Sequence, residues 1–126
     1  MLGIKDILKY ILLADDDDGI RKFGRKILEH HGYLVLEAAH PDVALNLVEE
    51  HSGRIHLLLT DLIMPDMTGR QLAEMVKRNS PEIKVLYTSG YRDVAIGIKA
   101  ALPPEANYIS KPFTGPQLIS AVQSVW

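Results

Sequence analysis

The 126-residue chain is predicted to be α/β, a doubly wound five-stranded parallel sheet with helices on both faces. Two patterns and one composition point there. Short apolar runs recur without strict alternation, as strands buried on both faces do. Amphipathic stretches with helical spacing lie between those runs. About 47% of the residues are hydrophobic and none is cysteine, so one domain of this length can bury a core without disulfide or metal staples.

The elements follow in order. Tyr10-Ile11-Leu12-Leu13-Ala14 reads as the first strand. Ile20, Phe23, Ile27 and Leu28 then recur at helical spacing, with Arg21, Lys22, Arg25 and Lys26 on other faces. Gly32 stops that helix, because glycine suits a left-handed cap. Tyr33-Leu34-Val35-Leu36 is the second strand, and Val43, Ala44, Leu47 and Val48 form the next helical stripe. Pro41 fits its first turn, where the missing N–H costs nothing. Ile55 with Leu57-Leu58-Leu59 is the third strand, followed by a helix carrying Leu72, Met75 and Val76. Val85-Leu86-Tyr87 is the fourth strand. The helix over Val94–Leu102 contains Gly97 and runs into Pro103-Pro104, so it is expected to be short or irregular. Tyr108-Ile109 is the fifth strand, and Leu118, Ile119, Val122 and Trp126 mark the last helix. The count is five strands and five helices.

Charge excludes some functions. Lys and Arg total 14 against 16 Asp and Glu, a formal net charge of −2. That balance lacks the basic stripe a nucleic-acid-binding domain presents to phosphates. Without cysteine there is no thiolate zinc site and no cysteine nucleophile. Lys5, Asp6 and Lys9 interrupt the apolar N-terminus, which is therefore neither a signal peptide nor a membrane span. Residues 1–9 read as an N-terminal extension, and the protein as soluble and cytoplasmic. The five histidines (His30, His31, His40, His51 and His56) lack a metal-ligand pattern.

Ligands of open parallel sheets bind beyond the carboxyl ends of the strands. Strand one ends at Asp15-Asp16-Asp17-Asp18, strand three at Thr60-Asp61, strand four at Thr88-Ser89-Gly90, and strand five at Ser110-Lys111-Pro112. Clustered carboxylates repel unless a divalent cation with oxygen ligands joins them. Magnesium is typically held by one or two carboxylates, water and a phosphate. Lys111 adds a point charge that suits a phosphate oxygen, and a Thr88 or Ser89 hydroxyl can donate to another. A carboxylate can itself be the nucleophile, giving an acyl phosphate. A calcium loop does not fit, since its spacing needs an acid at Ala14 and a glutamate at Arg25.

These residues carry a resemblance. Ile11-Leu12-Leu13-Ala14-Asp15-Asp16-Asp17, Asp61-Leu62-Ile63-Met64-Pro65-Asp66-Met67-Thr68-Gly69, Tyr87-Thr88-Ser89-Gly90-Tyr91 and Tyr108-Ile109-Ser110-Lys111-Pro112-Phe113 occur in the order found in receiver domains of two-component response regulators. The resemblance runs from Tyr10 to Trp126 and implies the flavodoxin-like receiver fold over residues 10–126. It implies Asp61 as phosphoacceptor, and Asp15 and Asp16 as the acidic pair that holds Mg2+, with Asp16 the direct ligand. The backbone carbonyl of Ile63 would be a further metal ligand. Lys111 would pair with the phosphoryl group, its bond to Pro112 often being cis in the family. Ser89 would be the switch hydroxyl, with Thr88 the alternative, and Tyr108 the aromatic that turns inward with it. The implied partner is a histidine kinase or a histidine phosphotransfer protein, with no direct nucleic-acid contact.

Other readings stay open at this level. Asp16-Asp17-Asp18-Gly19-Ile20 faintly resembles the nucleophile motif of haloacid-dehalogenase phosphatases, which ends in Thr or Val where this chain has Ile20. In that reading Asp16 is the nucleophile. A pseudo-receiver that binds without being phosphorylated is a third reading. Thr88-Ser89-Gly90-Tyr91 resembles receivers attached to hybrid histidine kinases, so the chain is read as a stand-alone receiver or a piece of a larger protein. Tyr91 is expected to shield the phosphoryl group from water and slow its hydrolysis. Asp66 has no assigned role.

Overall fold

The computed structural model describes residues 9–90, 97 and 102–126. The apolar runs become five parallel strands: β1 (Tyr10–Ala14), β2 (Leu34–Ala38), β3 (Ile55–Asp61), β4 (Lys84–Ser89) and β5 (Tyr108–Ser110). Four helices stand among the described residues: α1 (Asp18–His30), α2 (Pro41–Glu50), α3 (Gly69–Asn79) and α4 (Gly115–Ser124). Apart from Gly97 and Leu102, the helix expected over Val94–Leu102 lies outside the described residues, as does Tyr91.

The strand order is β2-β1-β3-β4-β5, the doubly wound order that the resemblance implies. The chain leaves β1 for β2 on one side and returns to β3 on the other. A crevice therefore opens between the carboxyl ends of β1 and β3, where Asp15 and Asp61 stand.

Side chains alternate across the sheet and divide the core in two. Leu12, Ala14 and Leu58 face Ala44, Val48, Leu72 and Val76 of α2 and α3. Ile11, Leu13, Leu57, Leu59 and Leu86 face Leu28, Leu118, Ile119 and Val122 of α1 and α4. Leu57 and Leu58 are both fully buried, so the central strand is covered on both faces. Each such leucine contributes about 1.5–3 kcal/mol.

The helix boundaries have local causes. Asp17 caps α1, its side chain accepting from Ile20 N at 2.9 Å. Gly32 beyond that helix has φ 90°, the left-handed conformation expected of it. Pro41 opens α2 as anticipated. Thr68 with Gln71, and Thr114 with Gln117, form capping boxes at α3 and α4.

Five residues of the helical stripes stand differently from expectation. Phe23, Val43 and Met75 lie at exposed edges of their stripes; the Phe23 ring packs beside Phe113, with centroids 6.1 Å apart. Arg21, assigned to an outer face, is only 8% exposed. Trp126 lies beyond α4 and stacks beside Tyr33, so it extends no apolar stripe.

Candidate functional site

Strand alternation carries Asp15 onto the same face as Ile11 and Leu13, and Asp61 onto the face of Leu57 and Leu59. The two carboxylates thus rise from neighbouring strands above α1 and α4. Carboxylate oxygens of Asp15, Asp16 and Asp61 lie within 4.8 Å of one another. Asp15 is buried and Asp61 nearly so, whereas Asp16 is exposed at the mouth.

Lys111 arrives from the end of β5, fifty residues beyond Asp61. Its Nζ donates to Asp15 Oδ2 at 2.8 Å and to Asp61 Oδ2 at 3.1 Å. Burial works against the ammonium, and the two carboxylates outweigh it, holding the Lys111 amine above its ordinary value. The Lys111–Pro112 bond is cis. Asp15 is also tied at Oδ1, which accepts from Asp17 N at 2.9 Å. The donors are all hard carboxylate oxygens, and one ammonium does not neutralise them. That set fits a magnesium-class cation.

The spacing of the Asp61–Gly69 segment has a geometric reason. After Asp61 the chain turns back in a small hairpin pairing Ile63–Met64 with Met67–Thr68. Pro65 and Asp66 form its turn, and Asp66 sits at φ 70°. Proline followed by a positive-φ residue is the preference of a type II turn, and Asp tolerates that conformation. Gly69 then returns under Asp61: a Cβ there would lie 2.1 Å from the Asp61 carbonyl oxygen. Its N–H donates to Leu62 O at 2.8 Å. Glycine is therefore required by close backbone approach. The sequence contained this residue within its motif but gave no sign of the contact.

The other expected site residues are placed as follows. Thr88 pairs with Asp61 in the β3–β4 ladder, and Ser89 pairs with Ser110 of β5. Both hydroxyls are buried, and neither Oγ1 of Thr88 nor Oγ of Ser89 has a hydrogen-bond partner among the described residues. Tyr108 pairs with Tyr87, and its side chain points outward, 49% exposed. Ile63 lies in the hairpin, half-buried.

Sequence reasoning missed Arg21. Its Nη1 donates to the Asp15 carbonyl oxygen at 2.8 Å, its Nε to Glu37 Oε1 at 3.0 Å, and its Nη2 to Asp18 Oδ1 at 2.6 Å. Arg25 reaches the other oxygen of Glu37. Burial would raise the Glu37 carboxyl, but the Arg25 and Arg21 guanidiniums outweigh it and hold it below its ordinary value.

Comparison with known proteins agrees with this arrangement. Residues 11–123 match the family model of the response regulator receiver domain. The response regulator receiver protein CpdR of Brucella abortus is 34% identical over 118 residues, covering 94% of this chain and 97% of that protein. The sensor kinase CckA of the same organism is 32% identical over 115 residues, covering 91% of this chain but only 12% of the kinase. Among solved structures, a receiver domain protein from Clostridium thermocellum superposes with a TM-score of 0.81 at 28% identity, covering 93% of each chain. With the acidic crevice at the β1–β3 switch point, these matches establish that the chain belongs to the response regulator receiver domain family, the signalling domains of two-component systems.

Proposed function

We propose that this receiver takes a phosphoryl group from a phosphohistidine onto Asp61. The donor is a histidine kinase or a histidine phosphotransfer protein. The N–P bond of the phosphohistidine breaks as an O–P bond to Asp61 forms. The imidazole leaves and takes up a proton, and the aspartate becomes an acyl phosphate. The observation that supports this reading is the clustering of Asp15, Asp16 and Asp61 carboxylates within 4.8 Å, with Lys111 hydrogen-bonded to Asp15 and Asp61.

Magnesium held by Asp15, Asp16, Asp61 and the Ile63 carbonyl would supply positive charge against the phosphoryl oxygens. Lys111 places its ammonium beside Asp61, within reach of an oxygen on the new group. Ser89 closes onto that oxygen and Tyr108 turns inward after it, so a local charge event biases a two-state surface. Thr88 is a second candidate for the hydroxyl, because the strand register sets it beside Asp61. The domain promotes its own phosphorylation and, with water, its own dephosphorylation. The functional unit spans residues 10–126 with residues 1–9 as an extension, and it acts in the cytoplasm.

The test is intact mass after incubation with acetyl phosphate and Mg2+. One phosphoryl group is expected on the wild type and none on Asp61→Asn or without metal. Folded protein that gains no mass would instead support a pseudo-receiver.

A further inference from the structure

Asp15, Asp16 and Asp61 are not held alike. Asp15 is fixed at both carboxylate oxygens, by Asp17 N–H and by Lys111. Asp61 also meets Lys111. Among the described residues, no hydrogen bond or ion pair reaches the carboxylate of Asp16, which stands exposed. Its direction must come through its backbone. The plane of the peptide between Asp15 and Asp16 contains the Asp15 carbonyl, and that oxygen accepts from Arg21 Nη1 at 2.8 Å.

Arg21 is itself immobilised. It is buried, and its Nε and Nη2 are committed to Glu37 of β2 and Asp18 of α1. A guanidinium is planar, so three contacts in different directions fix its orientation as well as its charge. With the Asp15 carbonyl anchored to that fork, the peptide plane cannot rotate without breaking a charge-assisted hydrogen bond. Partners one step behind the ligands of a metal commonly orient them in this way.

We propose that Arg21 is a positioning residue. Through the Asp15 carbonyl it orients the Asp15–Asp16 peptide so that the Asp16 carboxylate faces Asp15 and Asp61, and it thereby sets the affinity of the cluster for a divalent cation. The inference rests on the reading of that cluster as a magnesium site.

The test is calorimetric titration of the full chain with Mg2+, with the thermal midpoint of each metal-free variant measured in parallel. Arg21→Lys keeps the charge but loses the fork, and Arg21→Met loses both. Both are expected to raise the Kd by about 10-fold. Val48→Ala, in the core layer on the opposite face of the sheet, is expected to lower the midpoint and leave the Kd unchanged. Asp16→Asn is expected to abolish binding. If Arg21→Lys is folded and binds as the wild type does while Asp16→Asn does not bind, the positioning role is wrong and the magnesium site stands. If Val48→Ala raises the Kd as much, the effect is general destabilisation and the role is again wrong. If the wild type does not bind Mg2+, both readings fall together.

Discussion

The two ends of the sheet are built from the same strands and resolve their polar groups in opposite ways. At the carboxyl end, carboxylates of Asp15, Asp16 and Asp61 are held together, and the buried hydroxyls of Thr88 and Ser89 have no partner among the described residues. At the amino end, a stray donor is satisfied. The register between β1 and β3 shifts after Tyr10, and the Tyr10 N–H donates instead to His56 Nδ1 at 3.0 Å. Rings close over that end. Tyr10 lies beside His51 and Tyr33 beside Trp126, each pair with centroids 6.3 Å apart. The Trp126 indole donates to the Tyr33 hydroxyl at 3.3 Å, and Lys9 Nζ stands 4.8 Å from the centre of the Trp126 ring. Local interactions therefore close over one end, while the packed faces hold the other polar, its carboxylates bridged by Lys111 and two buried hydroxyls left without a partner among the described residues. Unsatisfied buried groups and clustered like charges are expected where a site is ready for a ligand.

The largest contrast is expected at Gly69. Gly69→Ala places a Cβ against the Asp61 carbonyl, which is backbone and cannot swing away. A loss of about 3 kcal/mol in urea unfolding is expected, with loss of phosphorylation by acetyl phosphate. Wild-type stability and labelling in this variant would refute the account of the motif's spacing. Ser89→Ala is expected to act in the other direction. It removes a buried hydroxyl that has no partner among the described residues, so stability should rise by about 1 kcal/mol. A clear loss would mean that Ser89 is satisfied in the free protein.

At the amino end, removing a polar side chain has the opposite sign to Ser89→Ala. His56→Leu removes the acceptor of the Tyr10 N–H and is expected to cost about 1 kcal/mol while leaving acceptor chemistry intact. Burial, and then Lys9, lower the His56 pKa below its ordinary value of 6.5. As pH falls below 6.5 the unfolded chain therefore binds a proton before the folded one does. Stability conferred by His56 is present above that value and is lost as pH falls toward the lower folded value. Thermal midpoints between pH 7 and 5 are expected to fall less steeply in His56→Leu than in the wild type, and parallel slopes would exclude the effect. Lys9→Ala should show the smallest change, about 0.5 kcal/mol from the lost cation–π contact, with unchanged labelling. A labelling defect there would mean that the two ends are coupled.

The sequence discloses these ends unequally. Asp15, Asp61 and Lys111 could be read because each ends an apolar run, and parallel strands bring such ends to one edge. Arg21 could not be read, because helical spacing places a charged residue outside unless its partner is known. That partner, Glu37, comes from a different strand. Gly69 was visible as part of a motif, but the oxygen it approaches belongs to the backbone, which no side-chain pattern reports. The role of His56 depends on a register shift between strands, and composition carries no trace of that. Choosing between Thr88 and Ser89 needs the position of a hydroxyl relative to a phosphoryl group, which neither spacing nor register supplies.

Which carboxylate accepts the phosphoryl group decides the chemistry of this site. Acyl phosphates are reduced by borohydride, which converts a phosphoaspartate to homoserine and marks its position for peptide mass mapping. After acetyl phosphate and Mg2+, homoserine is expected at Asp61 and at neither Asp15 nor Asp16. Homoserine at Asp16 would contradict the account and return the chain to the phosphatase-like chemistry that its Asp16-Asp17-Asp18-Gly19-Ile20 segment faintly resembles.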